Sequence, residues 1–214
     1  MPDNLFWDIL DEKRKQILPL FARFKSDFYL AGGTALALQL GHRDSIDFDF
    51  FTDKSFSTVE LFKKVEDVFQ GHKILRTQDK KDTLTLMIDD SIKISFFAYP
   101  YKLIKPAIAT EYLQIAAIED IACMKLSAIT SRTANKDYVD LYFILQKYSL
   151  SELLDYAKTK FPALDTNLIL KSMVYFDDII EEPISYKHEH QIEFDVAKSC
   201  LENAVKEYLS KGKL

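Results

Sequence analysis

The sequence predicts an α/β (α+β) chain, with a mixed sheet and helices over residues 1–110 and a helical half over residues 111–214. Three observations predict it. A short apolar run, Phe28 to Ala31, meets Gly32-Gly33 and then an Ala/Leu-rich stretch, which reads as a strand turning into a helix. Alternating segments between Lys73 and Ala98 read as successive strands. From about residue 117 the pattern is helical almost to the end. The 214 residues suit one large domain or two small ones, with length for a substantial core.

Taken in order, residues 1–25 read as a helix with Leu5, Ile9, Ile17, Leu18 and Phe21 as apolar positions, its last turns disturbed by Pro19. Residues 28–31 form a short strand. Thr34 to Leu40 favours helix, and Gly41 ends it. Ser45 to Phe51 is a strand that turns Asp47 and Asp49 to one side and Ile46, Phe48 and Phe50 to the buried side. Ser57 caps a helix over 58–69, with Val59, Phe62, Val65 and Phe69 as its apolar face and Gly71 closing it. Strands follow at Lys73–Gln78, Thr83–Ile88 and Ile92–Ala98, the last two joined by the turn Asp89-Asp90-Ser91. Pro100 and Pro106 bracket an irregular link, which puts the boundary between the halves near 105–115. Helices are predicted at 117–130, 135–147, 151–160, 164–175 and 191–210, punctuated by Pro162 and Pro183.

With 48% hydrophobic and 29% charged residues, the composition is an ordinary globular one. A net charge of −5 argues against a broad nucleic-acid coat, though not against a local basic patch. Cys123 and Cys200 are isolated, which suits a reduced compartment. The N-terminal region carries Asp3, Asp8, Asp11 and Glu12 and lacks a basic start followed by an apolar run. No apolar stretch approaches the roughly 18 residues that span a bilayer. The expectation is a soluble cytoplasmic protein with no membrane partner.

The chain has only five glycines, and two are adjacent just upstream of the paired acids. Gly32-Gly33 at a helix start lets backbone N–H groups approach a phosphate, with Thr34 as a further donor; it equally suits a tight turn and N-cap. Asp47 and Asp49 at i and i+2 place two repelling carboxylates side by side. A divalent metal holding a nucleotide phosphate would offset that repulsion, whereas the bland reading is an exposed edge strand. Downstream, Lys125, Arg132, Lys136 and Asp140 stand at offsets of 7, 4 and 4, approximately one helical face. Three cations near an acid suit a cradle for triphosphate charge, with Asp137 and Asp140 orienting the cations; a solvated face with i,i+4 ion pairs is the alternative. His188-Glu189-His190 fits no standard metal-ligand spacing.

Tyr29-Leu30-Ala31-Gly32-Gly33-Thr34, then Gly41-His42-Arg43 ahead of Asp47-Phe48-Asp49, closely resembles the signature of the AbiEii toxin family of DNA polymerase β-like nucleotidyltransferases. Lys125, Arg132 and Lys136-Asp137-Tyr138-Val139-Asp140-Leu141 continue the resemblance in the right order. It spans about residues 28–147. It implies transfer of a nucleoside monophosphate from an NTP to an acceptor hydroxyl, with Mg²⁺ or Mn²⁺ on Asp47 and Asp49. It implies catalytic roles for Asp47, Asp49, Lys125 and Asp140. Nucleotide binding would fall to Gly32, Gly33, Thr34, Arg43, Arg132, Lys136 and Asp137. The helical half would contribute its Lys/Asp motif to the site. The resemblance further implies the toxin of an AbiE-like toxin–antitoxin and phage-defence pair. An AbiEi-like antitoxin would be its genetic partner, and in some relatives the acceptor is the 3′ end of tRNA.

One departure stands out. Relatives often carry an Asp where Ser95 stands, and on Ile92 to Phe97 the predicted active side holds only Lys93, Ser95 and Phe97. Three readings remain open. Water or substrate replaces the missing base, or Asp82, Asp89 or Asp90 reaches in, or the protein binds nucleotide without transferring it. A nucleotidyltransferase acting on small molecules such as antibiotics is a further alternative, for which Asp177-Asp178 and Glu181-Glu182 would be the acidic acceptor groups.

Overall fold

The computed structural model describes residues 5–187 and 189–212. The chain divides into two compact units, Met1–Lys102 with Pro106–Ala117, and Leu103–Lys105 with Ile118–Leu214.

The first unit holds α1 (Glu12–Ile17), β1 (Tyr29–Ala31), α2 (Gly32–Leu40), β2 (Phe48–Thr52), α3 (Thr58–Val68), β3 (Ile74–Lys80), β4 (Thr83–Ile88), β5 (Ile92–Ala98), β6 (Ile108–Ala109) and β7 (Gln114–Ile115). Among the described residues these strands make one mixed sheet in the order β3-β4-β5-β2-β1-β7-β6. β2 runs parallel to β5 and antiparallel to β1, so the acidic strand lies between the Gly-Gly strand and the Ser95 strand. One face of the sheet is sealed by aromatic packing. Phe21 contacts Phe48 and Phe50 at ring separations of 4.8 and 4.9 Å, and Phe96 receives Phe24, Phe28 and Phe50 at 5.4, 5.1 and 5.3 Å. Such rings contribute both buried apolar area and edge-to-face attraction.

The predicted N-terminal helix is broken. A 3₁₀ turn at Trp7–Ile9, the α-helix at Glu12–Ile17 and a 3₁₀ stretch at Leu18–Arg23 replace it, and residues 1–4 of that prediction lie outside the described residues. Asp11 accepts from Arg14 N at 2.9 Å and so caps a fresh start, while Pro19 lacks the N–H that a continuing α-helix needs. On α3 the buried positions are Leu61 and Val65, continuing to Phe69, and Val59 is exposed. Phe62 instead lies under the Arg76 guanidinium at 3.7 Å. The β4–β5 turn is as predicted, with Asp89 and Asp90 both at positive φ (48° and 55°).

The second unit holds α4 (Ile118–Ala128), α5 (Asn135–Leu145), α6 (Leu150–Lys160), α7 (Thr166–Met173) and α8 (Phe194–Ser210). Ser149 and Glu152 form a reciprocal capping box at the start of α6. Leu126, Leu141, Ile144, Leu153 and Leu201 are fully buried. Asp120 and Lys160 are buried beside them, 2.7 Å apart.

Candidate active site

In the first unit the chemistry gathers where β1 hands over to α2. Gly32 has φ +72°, a conformation that a side chain would strain. A methyl group there would stand 3.3 Å from Asp49 Oδ2, and one at Gly33 would stand 2.6 Å from Arg43 Nη2. The glycine pair therefore lets backbone run directly against a carboxylate and a guanidinium. Gly41, with φ +67°, ends α2 and turns the chain towards the buried His42 and Arg43. Arg43 Nη1 donates to the Asp44 carbonyl at 3.1 Å.

Asp49 lies in β2, paired in register with Ala31 on one side and Ser95 on the other. Thr85 follows Ser95 across the sheet, and Ser95 and Thr85 are both buried. Asp47 precedes β2 rather than lying within it. Its backbone carbonyl accepts the Thr34 hydroxyl, and Ser45 Oγ stands 2.7 Å from that hydroxyl. Thr34 was expected as a phosphate donor; here it is buried and acts as a post for Asp47. Asp47 Oδ2 lies 3.3 Å from Lys93 Nζ, which brings its carboxylate to the Lys93–Ser95 side of the sheet. Ile46, expected in the core, is 59% exposed, because period-two alternation does not govern a residue ahead of the strand.

The acids considered as replacements at Ser95 are engaged elsewhere. The Ser55 hydroxyl and the Phe56 N–H hold Asp82 at 2.5 and 3.1 Å, and their hydrogen bonds keep its carboxyl below the usual range. Asp89 meets His72 and the Lys73 N–H at 2.7 and 2.9 Å, and Asp90 meets Lys73 Nζ at 2.8 Å.

One residue that sequence reasoning missed ties the frame together. Arg14 Nε donates to the Ile46 carbonyl at 2.7 Å, and Nη2 donates to the Ser91 carbonyl at 2.8 Å. These carbonyls precede Asp47 and β5, so one buried guanidinium fixes the lead-in to the first acid and the lead-in to the Ser95 strand. The signal was present. Arg14 falls in the Leu10, Arg14, Ile17, Leu18, Phe21 stripe, where an apolar residue belongs.

In the second unit, α4 ends at Ala128 and α5 begins at Asn135, so the four-residue face is interrupted between Lys125 and Lys136. Lys125, Arg132, Asp137 and Asp140 still converge. Lys125 Nζ, buried, lies 2.7 Å from Asp137 Oδ1 and 2.5 Å from Asp140 Oδ2. Arg132 grips Asp137 with Nε at 2.7 Å and Nη2 at 3.0 Å. Burial pushes the Asp137 carboxyl up, but the charge of Lys125 and the hydrogen bond and charge of Arg132 outweigh it and hold the group below its usual range. Lys136 pairs with Glu182 at 2.7 Å, and Glu182 in turn feels the charges of Asp137 and Arg132. His188 lies outside the described residues, and His190 Nδ1 sits 3.0 Å from the Lys187 carbonyl.

Among the described residues no three His, Cys, Asp or Glu side chains group as metal ligands. The oxygen donors of Asp47 and Asp49 suit a hard divalent cation of the kind that takes one or two carboxylates and completes its shell with water and substrate phosphates.

Comparisons with known proteins bear on the fold and the family. The chain is 38% identical over 190 residues to the Aquifex aeolicus (strain VF5) protein aq_aa25, covering 86% of this chain and 89% of that protein. The fold is shared with MenT4, the nucleotidyltransferase toxin Rv2826c from Mycobacterium tuberculosis H37Rv (TM-score 0.62, 14% identity, 90% of this chain and 80% of that one). It is shared also with JHP933 from Helicobacter pylori (TM-score 0.59, 19% identity, 97% and 94%). No helix among the described residues is long and apolar enough to cross a membrane. Residues 20–203 match the family described as nucleotidyl transferase AbiEii toxin, type IV TA system, and the chain belongs to that family.

Proposed function

We propose that this chain transfers a nucleoside monophosphate from an NTP to the 3′-terminal hydroxyl of tRNA, acting in the cytoplasm as the toxin of a pair whose second member is an AbiEi-like antitoxin. The acceptor oxygen bonds to the α-phosphorus as the bond to the pyrophosphate oxygen breaks, and the hydroxyl proton leaves to water. The observation that carries the reading is Asp49, in register with Ser95 and against the side-chain-free Gly32, with Asp47 anchored through its own carbonyl by Thr34. Asp47 and Asp49 would hold Mg²⁺ or Mn²⁺, which neutralises triphosphate charge and acidifies an attacking hydroxyl. The backbone of Gly32 and Gly33 would receive phosphate at the start of α2. Arg43 braces that turn. Lys125 and Asp140 are proposed to serve the same reaction, with Arg132 and Asp137 holding Lys125 in place.

The test is transfer of label from each α-phosphate-labelled NTP, with Mg²⁺, to total RNA, protein and small molecules. Label on tRNA is expected. Asp47→Ala or Asp49→Ala should lower it on the order of a hundredfold or more without lowering the melting temperature. Either variant at full activity overturns the metal assignment. A second reading, nucleotide binding without transfer, is favoured by the buried Ser95 in register with Asp49. NTP binding with no label on any acceptor would establish it. Label on the small-molecule pool alone would mark an antibiotic-type acceptor.

A further inference from the structure

Lys93 is the only charged residue of β5 and lies two residues before Ser95, on the side of the sheet that carries the acids. Its antiparallel neighbour on β4 is Met87, which offers no counter-charge. Its partner is Asp47 Oδ2 at 3.3 Å, with 44% of the lysine side chain and 41% of the aspartate side chain exposed. An ion pair so open to water adds little to stability. Its position is more telling, because it places an ammonium on a carboxylate that the transfer reaction needs for a divalent cation. Two positive groups then compete for one carboxylate, and the lysine, a point charge on a flexible stem, is the one able to swing away. An NTP brings several phosphate oxygens to the same corner, and these are good partners for a displaced ammonium.

We propose that Lys93 is an anion-binding residue of the transfer site, held on Asp47 before substrate arrives and turned onto an NTP phosphate oxygen when a divalent cation takes that carboxylate. The proposal rests on the transfer reading above. It makes Lys93 a brake on metal binding and an aid to nucleotide binding, two effects of opposite sign.

The experiment uses the full chain and its Lys93→Ala and Lys93→Arg variants. Mn²⁺ affinity is measured without nucleotide, NTP affinity with Mg²⁺ present, and KM for NTP and for acceptor separately. Lys93→Ala is expected to bind Mn²⁺ several-fold tighter and NTP about tenfold weaker, with the KM for acceptor unchanged. Lys93→Arg should recover most of the NTP affinity. Unchanged Mn²⁺ and NTP affinities in Lys93→Ala overturn the proposal, as does weakening of both together, which a merely structural lysine would give. A rise in the acceptor KM alone overturns it by assigning Lys93 to an acceptor phosphate. Wild-type protein that binds no NTP overturns the transfer reading and the role of Lys93 with it, whereas wild-type binding left intact by the variants overturns only the latter.

Discussion

Asp137 sits between Lys125 and Arg132, both within 3 Å, and is almost wholly buried. Its carboxyl is held below its ordinary value of 3.8, so the folded state prefers it ionised. Its stabilising contribution is complete above that value and fades as pH falls below it, towards the depressed folded pKa. Asp137→Asn should therefore be less stable than wild type by roughly 3 kcal/mol near neutral pH. Urea unfolding at stepped pH should show that gap closing under acid conditions; a gap independent of pH would contradict the assignment. At this scale the sequence exposed the residue types but not all of their partners. The spacing of the second motif pointed to Asp137 and Asp140 orienting its cations, as their contacts with Lys125 do, but the approach of Asp49 to Gly32 was not foreseen. The Lys136–Glu182 pair was not legible, because Glu182 lies 46 residues further along, beyond α7. Nor were the carbonyl partners of Arg14, Ile46 and Ser91, which lie 32 and 77 residues away.

Elements were legible where local chemistry decided them alone. β4 and β5 matched the predicted strands at both ends, because alternation and the Asp-Asp turn fix length and register together. Capped helices such as α6 were also plain. The first helix was not, since its fragments are held by tertiary packing of Phe21 and Phe24 rather than by helix propensity. The Asp120–Lys160 pair on α4 and α6 was equally hidden, because buried charges leave no periodic trace. Asp120 also accepts the backbone N–H groups of Ile104 and Lys105 at 2.9 and 3.0 Å, so it ties two helices and a connecting strand of chain at one point. Lys160→Met should cost about 3–5 kcal/mol by stranding a buried carboxylate. Adding Asp120→Asn, which removes the charge and keeps an acceptor for the two N–H groups, should restore much of that loss. Thermal melts of the two variants check it, and a double variant no more stable than the single one would refute it.

For the molecule as a whole, both cysteines are free. Burial, with the charge of Asp120 second, pushes the Cys123 thiol up to about 12, and burial raises Cys200 as well. Thiolate is thus scarce at neutral pH. The melting temperature should be the same with and without reductant, and iodoacetamide should modify Cys123 only after unfolding; rapid labelling of the native chain at pH 8 would count against this. The parallel pairing of β2 with β5 carries a temporal consequence. Asp49 and its neighbour Ser95 are 46 residues apart, with α3, β3 and β4 between them. A ribosome adding about 5–20 residues per second needs roughly 2–9 s to cover that interval. Throughout it the nascent chain carries both carboxylates and the glycine turn without the strand that frames them. Long-range closure of this kind is slow and comes late in folding. A cell making this protein therefore carries a period in which the acids exist but the site does not, and the emergence of β5 ends it.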